Sequence, residues 1–244
     1  MTADDVLSAA RALPNGSLTE ILEGGTPIIL APHQDDEVIG CGGLLAAATH
    51  AGIAPAIVFV TDGSGSHPNS RAYPRDALIA LRQREARGAA HVLGIEPERL
   101  HFMRIRDTEA PHDGPALVAA VDRIVSTIVT YPKPVIFAPW DHDPHGDHQA
   151  VHKMAVHVAR ALTARHLSYL VWGWTLPANQ EMGGIKIAGW RFRVDDTRSQ
   201  KSLALDAYKS QVADLIDDDP AGFRLDRDTL RAMLSGDEVY LLNS

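Results

Sequence analysis

A single cysteine, Cys41, is all the thiol chemistry in the chain. It can form neither an internal disulfide nor a thiolate zinc centre, so nothing points to an oxidising compartment, and a cytoplasmic location is expected. Basic residues are also scarce. Lys and Arg number 23 against 31 Asp and Glu, a formal charge of −8 with no Lys/Arg run. That balance argues against a nucleic-acid surface, which needs a basic stripe. The N-terminus places Asp4 and Asp5 where a signal peptide carries positive charge, and its helically spaced apolar residues predict a surface helix. Only Val38 to Val60 lacks charge over about the length of a bilayer span, but glycines, His50 and Pro55 interrupt it. A small-residue helix followed by the strand AIVFV explains that stretch better, so no integral membrane segment is expected. Walker A, GxSxG and HExxH patterns are missing, and IGCGGLL lacks the last glycine of a dinucleotide fingerprint.

What is present alternates. Short β-rich runs at 27–31, 56–61, 100–103, 134–139, 167–173, 190–194 and 239–242 are separated by amphipathic stretches at 3–12, 38–50, 75–93, 115–130, 148–165 and 197–215. This order predicts an α/β, Rossmann-like three-layer fold with a mostly parallel sheet covered on both faces. No repeat or long linker divides it, so one domain over 1–244 is expected. Open α/β sheets place their ligands at the carboxyl ends of the strands. The loop DGSGSHPNSRAYPRD (62–76) leaves a strand at that edge. The segment 172–190 is either a second wall or a plain hairpin.

Two polar clusters follow strands. IILAPHQDDEVIGCGG (28–43) runs an apolar segment into His33, Asp35, Asp36 and Glu37. PVIFAPWDHDPHGDHQAVH (134–152) runs another into Asp141, His142, Asp143, His145, Asp147, His148 and His152. Bare burial of such groups costs several kcal/mol per charge, so they must be exposed, paired or coordinating. Imidazole and carboxylate are good zinc ligands, and catalytic zinc keeps an open position for water. An isolated HxDD is more often a capped helix start, but two clusters ending β-rich runs favour a metal site. Cys41, between glycines, is expected to be a buried small residue rather than a nucleophile.

PHQDDE (32–37) and HGDH (145–148) resemble the two signature motifs of the LmbE/PIG-L family of zinc-dependent N-acetylglucosaminyl deacetylases. VFVTDG (58–63), LRQREARGAAHVLGI (81–95), Asp107 and KSLALDAYKSQ (201–211) fall in family order. Gln34 and Gly146 stand where the family has prolines. The resemblance implies that His33, Asp36 and His148 bind zinc, with iron as the alternative metal. It implies Asp35 as general base, His145 as an imidazolium stabilising the oxyanion or acting as general acid, and Asp147 as the carboxylate orienting His145. Arg82 and Asp107 are the implied substrate contacts. Arg82 with Glu85 also fits a solvated helix pair, and Asp107 also fits a turn cap. Asp141 and Asp143 are read as hydrogen-bonding the histidines or capping the turn before Pro144. His152, four residues past His148, is read as a neighbour of the site rather than a ligand. For Trp140, Trp172 and Trp174, core or rim packing is expected ahead of sugar stacking.

The function expected from this resemblance is removal of an N-acetyl group from an N-acetylglucosamine-containing or related amino-sugar conjugate. Two alternatives stand beside it: an amidase on a non-sugar amide, and a metal-dependent sugar-binding protein without turnover. Asp35 argues against the second, because a binding site gains nothing from an unligated base beside the metal. The partner is a small molecule, and the oligomeric state stays open, a homo-oligomer included.

Overall fold

A computed structural model describes residues 1–242. Seven strands form one sheet: β1 Thr26–Ala31, β2 Ala56–Thr61, β3 Leu100–Ile105, β4 Pro134–Pro139, β5 Arg165–Tyr169, β6 Gly189–Phe192 and β7 Glu238–Leu242, in the spatial order β3-β2-β1-β4-β5-β7-β6. The run from β3 to β5 is parallel, whereas β7 is antiparallel to both β5 and β6. The mostly parallel α/β sheet expected from the alternation is therefore present, with an antiparallel extension at one side.

Strand side chains alternate between faces, and the two cores follow that period. Ile29, Ala31, Ile57, Phe59 and Phe137 enter one core, while Ile28, Leu30, Val58, Val60 and Ile136 enter the other. The first core is closed by α3 (Asp36–His50), α4 (Arg75–Val92) and α7 (Arg198–Leu205). The second is closed by α5 (Gly114–Ile128) and α6 (Gly146–Leu162). Burial on both faces explains why these strands are continuously apolar rather than alternating. A third cluster joins α1 (Ala3–Arg11) to Trp140, Leu170, Leu176 and β7. Cys41 is fully buried in the first core.

Several expectations are corrected. The run at 167–173 stops as a strand at Tyr169 and becomes a 3₁₀ turn at Trp172–Thr175. The cause is Asp143, whose carboxylate accepts the N–H groups of Trp172 and Gly173. The helix expected at 197–215 breaks into α7 and α8 (Lys209–Val212). At the break the Tyr208 hydroxyl reaches Glu37, and Glu85 accepts from the Ser210 N–H and hydroxyl. Segment 172–190 is not a hairpin; its 178–182 portion hydrogen-bonds the start of α1 and the residues before it. Two helices lie outside the expected stretches, α2 (Leu18–Leu22) and α9 (Arg227–Leu234). The first carries a capping box, Ser17 with Glu20, that was readable as S-x-x-E; Asp226 caps the second.

No helix among the described residues is long and apolar enough to cross a membrane. The uncharged window Val38–Val60 is α3, a turn and most of β2.

Strands β1 and β4 are neighbours, with Ile28 opposite Ile136 and Ile29 opposite Phe137. β2 and β3 extend the sheet on one side of this pair and β5 on the other, so the strand order reverses here. The carboxyl ends of β1 and β4 flank the resulting crevice, which brings the two polar clusters together.

Candidate active site

Past β1 the chain turns sharply. Pro32 C=O accepts the Thr61 N–H and hydroxyl, fixing the exit of β1 against β2. Asp35 then adopts φ 138°, ψ −29°, a conformation that side-chain-bearing residues rarely hold, and α3 starts at Asp36. The Asp35 side chain does not cap α3; instead Glu37 Oε2 accepts the Asp35 N–H at 3.0 Å. The strained residue thus leaves its own carboxylate free to line a cavity of about 250 Å³.

Asp36 is the centre of the cluster. Its Oδ2 lies 3.2 Å from His33 Nδ1 and 3.2 Å from His148 Nε2. Tetrahedral ligands at about 2.0–2.1 Å from zinc stand about 3.3 Å apart, so Asp36 is spaced from each of these histidines as two ligands of one small divalent ion are. Both ring nitrogens of fully buried His148 lack a well-directed hydrogen bond, although Asp36 and Asp143 oxygens lie 3.2 and 3.3 Å away. A buried nitrogen aimed off-line at a carboxylate suits a shared ligand position better than a hydrogen bond. Each histidine turns its other nitrogen to carboxylate: His33 Nε2 to Asp147 at 3.1 Å and Asp107 at 3.2 Å, His148 Nδ1 to Asp143. Such partners fix the ring and raise its basicity as a ligand. The ring nitrogens of His33, His145 and His148 also fall within 4.8 Å of one another.

Titration follows the same geometry. Burial disfavours a charged His148, but Asp143 and Asp36 outweigh it and lift its pKa to about 10. His33 is raised likewise, burial being outweighed by Asp107, Asp147 and Asp36. Burial also opposes ionisation of Asp36, yet His148 and His33 hold its carboxyl well below the usual range. Such a nest of anions takes up positive charge, as protons or as a cation. Asp35 behaves differently: burial raises it to about 7, with Arg82 opposing and Asp36 adding to the rise. Glu37 is pushed up to about 8, by burial first, against the hydrogen bond from Tyr208.

The structure places the other expected residues as follows. His145 lines the cavity and packs edge-on to His33, ring centroids 4.7 Å apart. Its Nδ1 accepts the Asp147 N–H at 3.2 Å, which leaves the ring proton of the neutral form on Nε2. Burial, then the charges of His33 and His148, lower its pKa and favour that neutral form. The Asp147 carboxylate faces away from His145: it accepts from Thr108 and Ala110 N–H and meets His33. Arg82 is buried and donates through Nη2 to Gln34 C=O at 2.5 Å, 3.6 Å from Asp35. It has no ion pair with Glu85, whose carboxylate serves Ser210, so neither form of an Arg82–Glu85 pair is present. Asp107 accepts the Gly65 N–H at 2.8 Å. Gln34, replacing a proline, donates to Thr61 C=O at 2.9 Å, a tie between β1 and β2 that proline cannot make. Asp141 pairs with His142 on the surface. His152 Nδ1 meets Pro139 C=O and its ring packs near His166, outside the cluster. Trp140 packs in the third core.

Three participants have roles or contacts that the sequence motifs do not specify. Glu37 and Tyr208 meet only because α7 folds back over α3. Phe223, in an irregular segment, forms the apolar wall of the cavity with Ile39, Val171, Trp172 and Leu225. That segment is tied to the loop after β2: Asp218 accepts from the Ser70 hydroxyl and the Arg71 and Ala72 N–H groups, and Phe223 N–H from its side donates to Ser66 C=O.

Residues 28–159 match the family model described as PIG-L: GlcNAc-PI de-N-acetylase. A diacetylchitobiose deacetylase of Thermococcus kodakarensis is 28% identical over 126 residues, 50% of this chain and 44% of that protein. The chain thus matches less than half the length of that relative. Among solved structures, the N,N′-diacetylchitobiose deacetylase from Pyrococcus horikoshii superposes with TM-score 0.64 at 19% identity, covering 92% of this chain and 86% of the other. The A40926 pseudoaglycone deacetylase superposes with TM-score 0.66 at 21% identity, covering 89% and 96%. These structural likenesses establish a shared fold. Because the family model spans more than half of the 244 residues and includes both strand-end clusters, this chain belongs to the PIG-L family.

Proposed function

We propose that the chain is a zinc-dependent hydrolase that removes an N-acetyl group from an N-acetylglucosamine-containing or related amino-sugar conjugate. One observation carries the reading. Asp36, from the end of β1, and His148, from the end of β4, put donor atoms 3.2 Å apart beside His33, at the edge of a cavity that also holds the unligated Asp35. His33, Asp36 and His148 would hold a divalent ion, which would supply Lewis acidity toward an amide carbonyl and toward water.

The chain's own residues do the rest. Asp35, buried at the cavity edge and not itself a ligand, is placed to take a proton from attacking water. Once protonated, it can pass that proton to the departing amine. Arg82, 3.6 Å away, keeps the carboxylate from rising further and braces the Gln34 carbonyl beside it. His145, neutral and protonated on Nε2, supplies a hydrogen bond to the carbonyl oxygen as charge develops. Asp147 orients His33 through its Nε2, and Asp143 orients His148. Asp107 and the Trp172–Phe223 wall, rings 5.7 Å apart, supply the polar and apolar faces that a sugar ring presents.

The test is acetate release from N-acetylglucosamine conjugates. Chelation should abolish it, zinc should restore it, and Asp35→Asn should lower kcat by about 10²–10⁴. Turnover untouched by chelation and by Asp35→Asn would reject the mechanism. Turnover only on acylated amines lacking a sugar would move the assignment to another amide.

A further inference from the structure

Where helix α3 leaves the site, its backbone bonds buried side chains from other elements. In a regular α-helix the Gly43 N–H bonds Ile39 C=O, and the Leu44 N–H bonds Gly40 C=O. Here Gly43 N–H donates to Glu238 Oε1 at 2.6 Å and Leu44 N–H to Glu238 Oε2 at 2.9 Å. Opposite, Ile39 C=O accepts from Lys201 Nζ at 2.7 Å, and the Tyr240 hydroxyl lies 3.5 Å from Gly40 C=O. Lys201 and Tyr240 each meet Glu238 at 2.7 Å. The backbone of α3 is thus engaged over two consecutive N–H groups and a carbonyl by buried Glu238 and Lys201, with Tyr240 bracing Glu238.

We propose that Lys201, Glu238 and Tyr240 form a wedge that sets the direction of the first turn of α3, and so act as positioning residues for Asp36 and Ile39. Insertion of a side chain into the helix ladder is a recognised cause of bending. The contacts fall between the part of α3 that carries Asp36, Glu37 and cavity-lining Ile39 and the part that packs in the core. Stability alone does not call for it, since a buried ion pair is often no better than an apolar replacement of equal size. The glycines of this segment make room: a Cβ on Gly42 would stand 2.9 Å from Lys201 Cγ, and one on Gly43 2.4 Å from Val194.

The first readout rests on the metal reading above; the second does not. The double variant Lys201→Met/Glu238→Leu removes the charges at similar size. Its Co²⁺ dissociation constant, from chelator competition, should rise about tenfold or more, because metal sites tolerate ligand shifts of only about 0.2 Å. A crystal structure of the metal-free double variant should show Asp36 displaced against β1 by more than that tolerance, with His148 in place. Unchanged Co²⁺ affinity with Asp36 in place would overturn the proposal, as would weakened affinity with Asp36 in place. If the parent protein binds no Co²⁺, the metal reading fails, and the position of Asp36 alone decides the wedge. Should the double variant fail to fold, Glu238→Gln is judged by the same two readouts and criteria.

Discussion

At Asp35, backbone and side chain serve opposite ends. A φ of 138° costs of order 1–3 kcal/mol for a residue with a side chain, while glycine adopts it freely. Glycine also costs about 0.5–1 kcal/mol in unfolded-chain entropy, so relief of strain should win. Metal-free Asp35→Gly is therefore expected to be more stable than Asp35→Asn by about 1 kcal/mol, read from urea midpoints, with both inactive. Equal midpoints would show that the conformation is unstrained. His166 gives a test away from the site. Its Nε2 is buried without a partner, and burial, then the nearby His152, lower its pKa to about 3. The unfolded chain therefore binds this proton first, near pH 6.5, and the folded state gives up stability as pH falls from there toward 3. In His166→Leu the fall of the urea midpoint between pH 6.5 and 4 should be shallower than in the parent. A parallel fall would place the acid sensitivity elsewhere.

Among the elements, α3 concentrates the conflict between local preference and tertiary demand. Glycine in a helix interior costs about 1 kcal/mol relative to alanine, yet residues 40–43 read Gly-Cys-Gly-Gly. A Cβ on Gly40 would lie 2.2 Å from the Tyr169 ring, which is fully buried and anchored by its hydroxyl to Leu30 C=O. Overpacking costs about 1–3 kcal/mol, more than the propensity gained, so Gly40→Ala should lose about 1 kcal/mol in a urea titration. A stabilised variant would show that the ring can move. The same competition explains which elements were readable. Strands buried on both faces and the long helices α3 to α6 appear as apolar runs and periodic stretches. Strand β5 and helix α7 end where Asp143, Glu37 and Glu85 capture groups from distant residues, and no local pattern marks such ends.

For the whole molecule, the decisive event is the meeting of two segments more than 100 residues apart, and cation binding reports on it directly. Zinc at about 100 times its dissociation constant should stabilise the folded protein by about 2.7 kcal/mol, seen as a rise in Tm. His148→Ala should abolish that rise, because its Nε2 faces Asp36, while His152→Ala should keep it, because its Nδ1 faces Pro139 C=O. Comparable loss in both would make His152 a ligand.

From the residues alone came the alternation that dictates a mostly parallel α/β sheet, and the two motifs whose histidines and aspartates lie at strand ends. Both are local: apolar runs and short spacings survive in one dimension. Tertiary structure decided that Asp147 faces His33 rather than His145, that Arg82 is buried against Gln34 and Asp35 rather than paired with Glu85, and that Lys201 and Glu238 bond the backbone of α3. A buried polar group takes whichever partner the packing of distant segments brings within about 3 Å, and that choice is made only when the chain has closed on itself.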